Sequence, residues 1–348
     1  MKRFLTLLVL IAVAGGWYIS QNYDFDRDGF DRFTLTRRAV QVKSTAQANG
    51  AETTGPSTVT PVSSAASATS ALPVQRDGNS IRIASFNIQV FGTSKARKTH
   101  VMEILAEIIR RFDVVAIQEI RAKDQNLLPD FVQQINATGH HYEYVIGPRI
   151  GRSVSKEQYA FIFDAASIEV DRAGVYTVTD PDDRLHREPL VAWFRVRGPP
   201  TSEAFTFKLI NIHTDPDETT TELDALDDVY EAVQRDGANE DDVILLGDLN
   251  VDDRHLGQLG RLPGIAWMIS GVPTNTRGTK LYDNMVYKPR STTEFTGRAG
   301  VFDVMREFNL TREQSLEVSD HLPIWAEFSI REGGPTSPLA SRKGDTVK

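Results

Sequence analysis

A chain of 348 residues with 40% hydrophobic and 25% charged content has globular composition and enough material to bury a sizeable core. Its formal net charge of −8 excludes a protein that coats nucleic acid through a broad basic surface, but not an enzyme that makes a few local phosphate contacts. The absence of cysteine excludes disulfides, thiolate metal sites and cysteine nucleophiles together.

The chain opens with Lys2 and Arg3 ahead of the apolar run Phe4–Ala14, and Ala12-Val13-Ala14 has the small-residue spacing of a signal-peptide cleavage site. Residues 1–21 are therefore expected to direct export. Trp17, Tyr18 and Ile19 lengthen the run toward the roughly 20 residues of a membrane span, so an uncleaved anchor and tether over residues 4–19 is the second reading. Either reading places the rest of the chain outside the cytoplasm, secreted, periplasmic or facing outward from a membrane.

Residues 22–77 read as linker. Asp24-Phe25-Asp26-Arg27-Asp28-Gly29 copies the first half of an EF-hand loop, but Leu35 stands where the twelfth-position carboxylate belongs, which favours a solvated acidic segment. From Val40 to Arg76 the chain is rich in Ser, Thr, Ala, Gln, Gly and Pro and has no aromatic residue. Such a segment cannot bury enough apolar surface to offset its ordering entropy, and a disordered tether is expected. A second disordered segment is expected over 331–348.

Residues 78–330 carry the globular pattern. Ile81–Val90 reads as a buried strand, and Ser94 as the cap of a helix whose Val101, Ile104, Leu105, Ile108 and Ile109 share one face. Asp113–Glu119, Tyr159–Phe163 and Leu190–Arg197 read as further strands. Phe205–His213, a helix with the stripe Leu223, Leu226, Val229, Tyr230 and Val233, and Val243–Leu246 repeat the strand–helix–strand unit, with Thr219 and Glu222 as a capping box. Mixed strands with few helices predict an α/β fold in which helices cover packed sheets.

The polar residues gather where these strands end: Ser85-Phe86-Asn87, Gln118-Glu119-Ile120-Arg121, Asn211-Ile212-His213-Thr214, Gly247-Asp248-Leu249-Asn250, Tyr282-Asp283-Asn284 and Ser319-Asp320-His321. Loops at strand ends converge while the sheet stays rigid, which is where α/β proteins build sites. Singly, each has a plain structural reading: Glu119 a surface residue or cap, Asp248 an Asx-turn, Asp320 a turn cap, His213 a hydrogen-bonded strand end. Together, in this order, they point to a site.

These motifs resemble the successive motifs of the endonuclease/exonuclease/phosphatase superfamily from about Ile81 to Phe328. Lys156-Glu157-Gln158-Tyr159, Arg187-Glu188-Pro189 and the stretch from Trp267 to Tyr282-Asp283 are similar to segments of its DNase I branch. The resemblance implies two packed mixed β-sheets flanked by helices in a four-layer α/β sandwich. It also implies phosphodiester hydrolysis with a divalent metal, Mg²⁺ or alternatively Mn²⁺, on Glu119, Asn87 and Asp320. His321 oriented by Asp283 would be the general base, and His213 paired with Glu157 the general acid. Asp248 and Asn250 would hold phosphate, metal or water, and Arg121 and Arg187 would contact substrate phosphate. The other five histidines, His100, His140, His141, His186 and His255, are expected at the surface.

The expected substrate is DNA, cut by a monomer without a stable protein partner. A phosphatase or phosphodiesterase acting on phosphoinositide or sphingomyelin, and a non-catalytic binding module, are the alternatives, since a fold does not set its substrate. Two departures bear on the carry-over. Ser155 stands where the branch usually has tyrosine, which removes a minor-groove stacking contact, and the branch's disulfides are missing, which leaves Ca²⁺ as an alternative structural ion.

Overall fold

The computed structural model describes residues 23–28, 32–37, 78–153, 155–237 and 240–333. The signal or anchor at 1–21, most of the tether and the tail after 333 lie outside them. In chain order the strands are β1 (Tyr23–Asp28), β2 (Arg32–Arg37), β3 (Ser80–Phe91), β4 (Val114–Ile120), β5 (Tyr142–Ile146), β6 (Gln158–Asp164), β7 (Ile168–Val170), β8 (Tyr176–Thr177), β9 (Leu190–Val196), β10 (Thr206–His213), β11 (Val243–Asp248), β12 (Ala266–Trp267), β13 (Asp283–Tyr287), β14 (Phe295–Val301) and β15 (Ile324–Ser329). The α-helices are α1 (Thr93–Ala96), α2 (Thr99–Ile109), α3 (Leu127–Asn136), α4 (Thr219–Gln234), α5 (Val304–Glu307) and α6 (Arg312–Val318).

Two sheets form the domain. One runs β14-β15-β3-β4-β6-β5, and the other runs β12-β13-β11-β10-β9-β7 with β8 beside β9. β3 and β4 are parallel, as are β10 and β11. Each parallel pair therefore brings two C-terminal ends to the same edge of its sheet. The four expected motif strands are these four, and both pairs are crossed over by helix, as the repeated strand–helix–strand pattern predicts.

Alternation along the strands assigns their faces. On β11, Ile244 and Leu246 join the core between the sheets, whereas Val243 and Leu245 pack under α4 with Leu226, Val229, Tyr230 and Val233. An aromatic row, Phe161–Phe194–Phe207–Phe205–Phe328, fastens the two sheets together. Each of these rings is buried, contributing about 1.5–3 kcal/mol from lost apolar exposure.

A buried polar clamp also joins the sheets. The Asn211 side chain donates from β10 to the carbonyls of Ile117 and Ala160 in the other sheet, at 3.1 and 3.0 Å. Its oxygen accepts from Gln118 Nε2 at 2.7 Å, and Gln118 in turn donates to Ser85 Oγ at 3.1 Å. The motif residues Ser85, Gln118 and Asn211 thus hold the sheets in register rather than meeting a ligand.

Three local expectations change. Tyr23–Asp28 and Arg32–Arg37 pair antiparallel from Tyr23↔Arg37 to Asp28↔Arg32, so part of the expected linker is a hairpin. The period-2 alternation of Tyr23, Phe25, Phe33 and Leu35 with polar residues suits that pairing. Ser94 lies inside the short α1, and Lys98 is the N-cap of α2. Thr219 and Glu222 form no capping box: the N-cap is Glu218, and buried Glu222 accepts from the Asp215 amide at 2.8 Å.

Candidate active site

The C-terminal ends of β3, β4, β10 and β11 converge with the start of β13 and the turn before β15. Two departures from regular strand geometry aim the side chains. Register shifts interrupt β3 against β4 between Asn87 and Phe91, and β4 against β6 between Ile117 and Ile120. Gln89, Val90 and Glu119 have φ of 22°, 50° and 62°, and Asn250 beyond β11 has 52°. Non-glycine residues in this region carry strain, and their clustering here is the kind found at functional sites. The bulge turns Glu119 toward Asn87, whose amide donates to Glu119 Oε1 at 3.2 Å, while the Val90 amide donates to Glu119 Oε2 at 2.7 Å.

Asp248, on the inter-sheet face of β11, is the centre of the group. Its Oδ2 accepts from Asn87 Nδ2 at 2.9 Å and lies 3.4 Å from His321 Nε2 and 3.6 Å from His213 Nε2. Its Oδ1 accepts from the Asn250 amide at 3.0 Å, so the expected Asx-turn and the site coexist. Burial pushes the Asp248 carboxyl up, with the two imidazoles pulling the other way.

Each imidazole has its own carboxylate behind it. His213 Nδ1 is 2.9 Å from Glu157 Oε1, and His321 Nδ1 is 2.9 Å from Asp283 Oδ2. A carboxylate only accepts, so each Nδ1 carries the proton and each Nε2 faces the site. Burial acts to lower both histidines, but the flanking carboxylates override it and raise them, His321 well above the ordinary value. Burial acts to raise Glu157, and its cationic neighbours, His213 first, bring it below the carboxylate range. Thr274 Oγ1 donates to Asp283 Oδ2 at 2.7 Å, and Tyr159 accepts the His213 amide on its hydroxyl at 2.9 Å.

The arginines divide. Arg121 keeps about a quarter of its side chain exposed, 3.1 Å from Glu119 Oε2 and 3.7 Å from Glu157 Oε2. It also bonds the Ser155 hydroxyl, so the residue that replaces the expected tyrosine sits beside it. Arg187 is buried, 3.3 Å from Glu157 Oε2, and donates to the His213 carbonyl at 3.0 Å. Its guanidinium braces the Glu157–His213 pair.

Asp320 is half-buried before His321, and its carboxylate and that of Glu119 both act on Lys95, against the burial that lowers Lys95 to about 8. Lys95 donates to the carbonyls of Ile88 and Val318 at 3.0 and 2.7 Å, tying α1 to the site's edge. Lys95 and Thr274 lie in no motif, and only their position in the fold reveals them. Asn250 donates to the Thr214 carbonyl at 2.8 Å. Of the remaining histidines, His100, His140, His141 and His255 are exposed. His186 is not: it is half-buried, with Nδ1 3.5 Å from Asp215 Oδ2.

Ligating atoms of Asp248, Asp283 and His321 lie within 4.8 Å of one another, and Asn87 bonds both Asp248 and Glu119 beside them, so carboxylate oxygens that suit a hard divalent cation gather at this edge. The endonuclease/exonuclease/phosphatase family model matches residues 84–321, from β3 to His321. The chain belongs to this family. Within it, the chain is 32% identical over 278 residues to deoxyribonuclease gamma of Rattus norvegicus, covering 72% of this chain and 85% of the relative. It is 33% identical over 258 residues to deoxyribonuclease-1-like 1 of Mus musculus, covering 71% and 80%. The family member is therefore a phosphoester hydrolase of the DNase I-like branch. Solved structures share its fold. A Bacteroides thetaiotaomicron mannosyl-6-phosphatase aligns at TM-score 0.51 and 16% identity over 71% of this chain and 98% of its own. The human Nocturnin catalytic domain aligns at 0.50 and 13% over 72% and 94%.

Proposed function

We propose that this chain is an exported, metal-dependent endonuclease that hydrolyses DNA phosphodiester bonds with one histidine as base and another as acid. The observation that carries the catalytic reading is the paired geometry: two imidazoles, each 2.9 Å from its own carboxylate, turn their Nε2 atoms to the same Asp248 oxygen. DNA follows from the deoxyribonucleases among the relatives.

In the reaction, water attacks phosphorus while His321 Nε2 takes its proton. The bond to the leaving oxygen breaks as His213 Nε2 supplies a proton to that oxygen. Asp283 and Glu157 fix the tautomers and stabilise the positive charge on each ring. Asp248 and Asn250 orient the phosphate and the water, and Arg121 contacts a non-bridging or neighbouring phosphate oxygen. A divalent cation, Mg²⁺ in this reading, would be held by Glu119 with Asn87 and Asp320, and would supply charge stabilisation at the phosphoryl oxygens. Export rests on Lys2, Arg3 and the apolar Phe4–Ala14, and the isolated domain is read as a monomer.

The test is conversion of supercoiled plasmid to nicked circles by the purified chain with Mg²⁺, in parallel with sphingomyelin and phosphoinositide vesicles. The reading expects nicking that is lost in EDTA and in His321→Ala, and no release of lipid headgroup. A folded protein that spares plasmid with every divalent metal tried and cleaves either lipid would overturn the DNA reading.

A further inference from the structure

A second group of acids lies at the other end of the sandwich. Asp242 precedes β11, whose opposite end carries Asp248, so six residues of extended chain, about 20 Å, separate the two. One carboxylate oxygen from each of Asp242, Glu294 and Glu332 lies within 4.8 Å of the others. Glu294 leads into β14 and Glu332 follows β15, so the first sheet supplies two of the acids and the second sheet one.

Two of its acids are buried and underbonded, and Glu332 closes the group at the surface. Asp242 and Glu294 are 3% and 2% exposed, yet Asp242 Oδ1 and Glu294 Oε2 have no hydrogen-bond partner. The Thr292 hydroxyl, 1% exposed, is likewise unpartnered, and it acts on Asp242. Among the described residues no lysine or arginine forms an ion pair with any of the three acids. The nearby polar groups already donate elsewhere on them: the Gly333 amide to Glu294 Oε1 at 2.7 Å, and the Thr206 amide to Glu332 Oε1 at 2.7 Å. Glu240 adds a fourth carboxylate, itself bonded to Trp193 Nε1 and Thr206 Oγ1.

Uncompensated buried carboxylates are strongly disfavoured, and two outcomes relieve them: protonation or a bound cation. Burial, Glu294, Glu240 and Glu332 push the Asp242 carboxyl up to about 9, with only Thr292 opposing. A cation removes that penalty for all the acids at once. The unpartnered oxygens are hard donors, mixed between carboxylate and hydroxyl, and come from two separate loops with Glu332 on a third, which favours the larger and geometrically tolerant Ca²⁺ over Mg²⁺.

We propose that Asp242, Glu294, Glu332 and Thr292 form a calcium site, distinct from the catalytic centre, that ties the two sheets together where β15 leaves the domain. The site depends on no particular phosphoester substrate. Its test is calcium binding to the purified chain stripped with EDTA, by equilibrium dialysis and thermal unfolding with Ca²⁺ as the only added divalent ion. The wild-type chain should bind one more Ca²⁺ equivalent than Asp242→Asn/Glu294→Gln. Saturating Ca²⁺ should raise its Tm by about 5 °C through this site, an increment the double variant lacks. Glu332→Gln, a change on an exposed residue that keeps the Thr206 contact, should weaken the same binding event without unfolding the chain. Plasmid nicking with Mg²⁺ should stay within a few-fold in all three. Equal calcium stoichiometry in wild type and variants would overturn the site. So would a wild type without a Ca²⁺-dependent Tm shift whose double variant is the more stable protein, which would identify protonated carboxylates instead.

Discussion

Glu157 does two things to His213: it fixes the proton on Nδ1 and raises the ring's pKa despite burial. His213 must be protonated and His321 neutral for the reaction, and the flanking carboxylates raise both, so both limbs of the pH–rate profile belong to these two rings. Glu157→Gln removes the charge that raises His213, and one limb of the profile should move to lower pH, with a lower plateau. A profile in which neither limb moves would mean that another group supplies the proton. Glu119 makes a different demand. Glu119→Gln should raise the Mg²⁺ concentration for half-activation by about tenfold or more, read from a metal titration, because it removes an anionic ligand from the site. The histidines, Glu119, Asp248 and Asp283 are legible in the sequence because each closes or opens an apolar strand. The bracing of Glu157 by Arg187 is not legible there, because an arginine in a loop motif gives no sign that folding will bury it against a carboxylate.

At the scale of elements, the close approach of β10 and β11 sets the position of Asp248. Gly247 has φ of 153°, and a Cβ there would lie 1.9 Å from the Ile212 carbonyl oxygen. Gly247→Ala must separate the two strands and should destabilise the fold by about 4 kcal/mol or more, measured by denaturant unfolding. Helix α4 carries a buried acid that the capping-box reading misplaced. Burial raises Glu222 to about 7, above its unfolded value of 4.5. The folded state therefore binds the extra proton between these values, and the associated stability is present below 4.5 and lost as pH rises through 7. Glu222→Gln keeps the oxygen that accepts from Asp215, so it should be more stable than wild type at pH 8, by at most about 3 kcal/mol, and match it below pH 4.5. A constant difference across pH would show that Glu222 does not titrate with folding. Apolar period and strand length predicted β3, β4, β10, β11 and α4 to within a few residues. The bulges that aim Glu119 left no mark, since a register shift depends on the partner strand.

Across the whole molecule, a net charge of −8 with Arg121 about a quarter exposed at the site makes phosphate recognition local. Sequence patterning announced a sandwich with a site at one edge, because motif order and strand ends carry that information. It gave no sign of the acids at the opposite edge, which come from three loops far apart in the chain and meet only when the sheets pack. The central claim is that His213 and His321 divide proton transfer between leaving oxygen and attacking water. The most direct measurement compares His213→Ala and His321→Ala on DNA and on the same DNA with sulfur in place of the leaving oxygen, a leaving group that needs no proton. On ordinary DNA both variants should lose about 10²–10⁴-fold in rate. With the sulfur substrate His213→Ala should recover most of that loss and His321→Ala none. Equal recovery by both variants, or recovery by His321→Ala alone, would contradict the assignment.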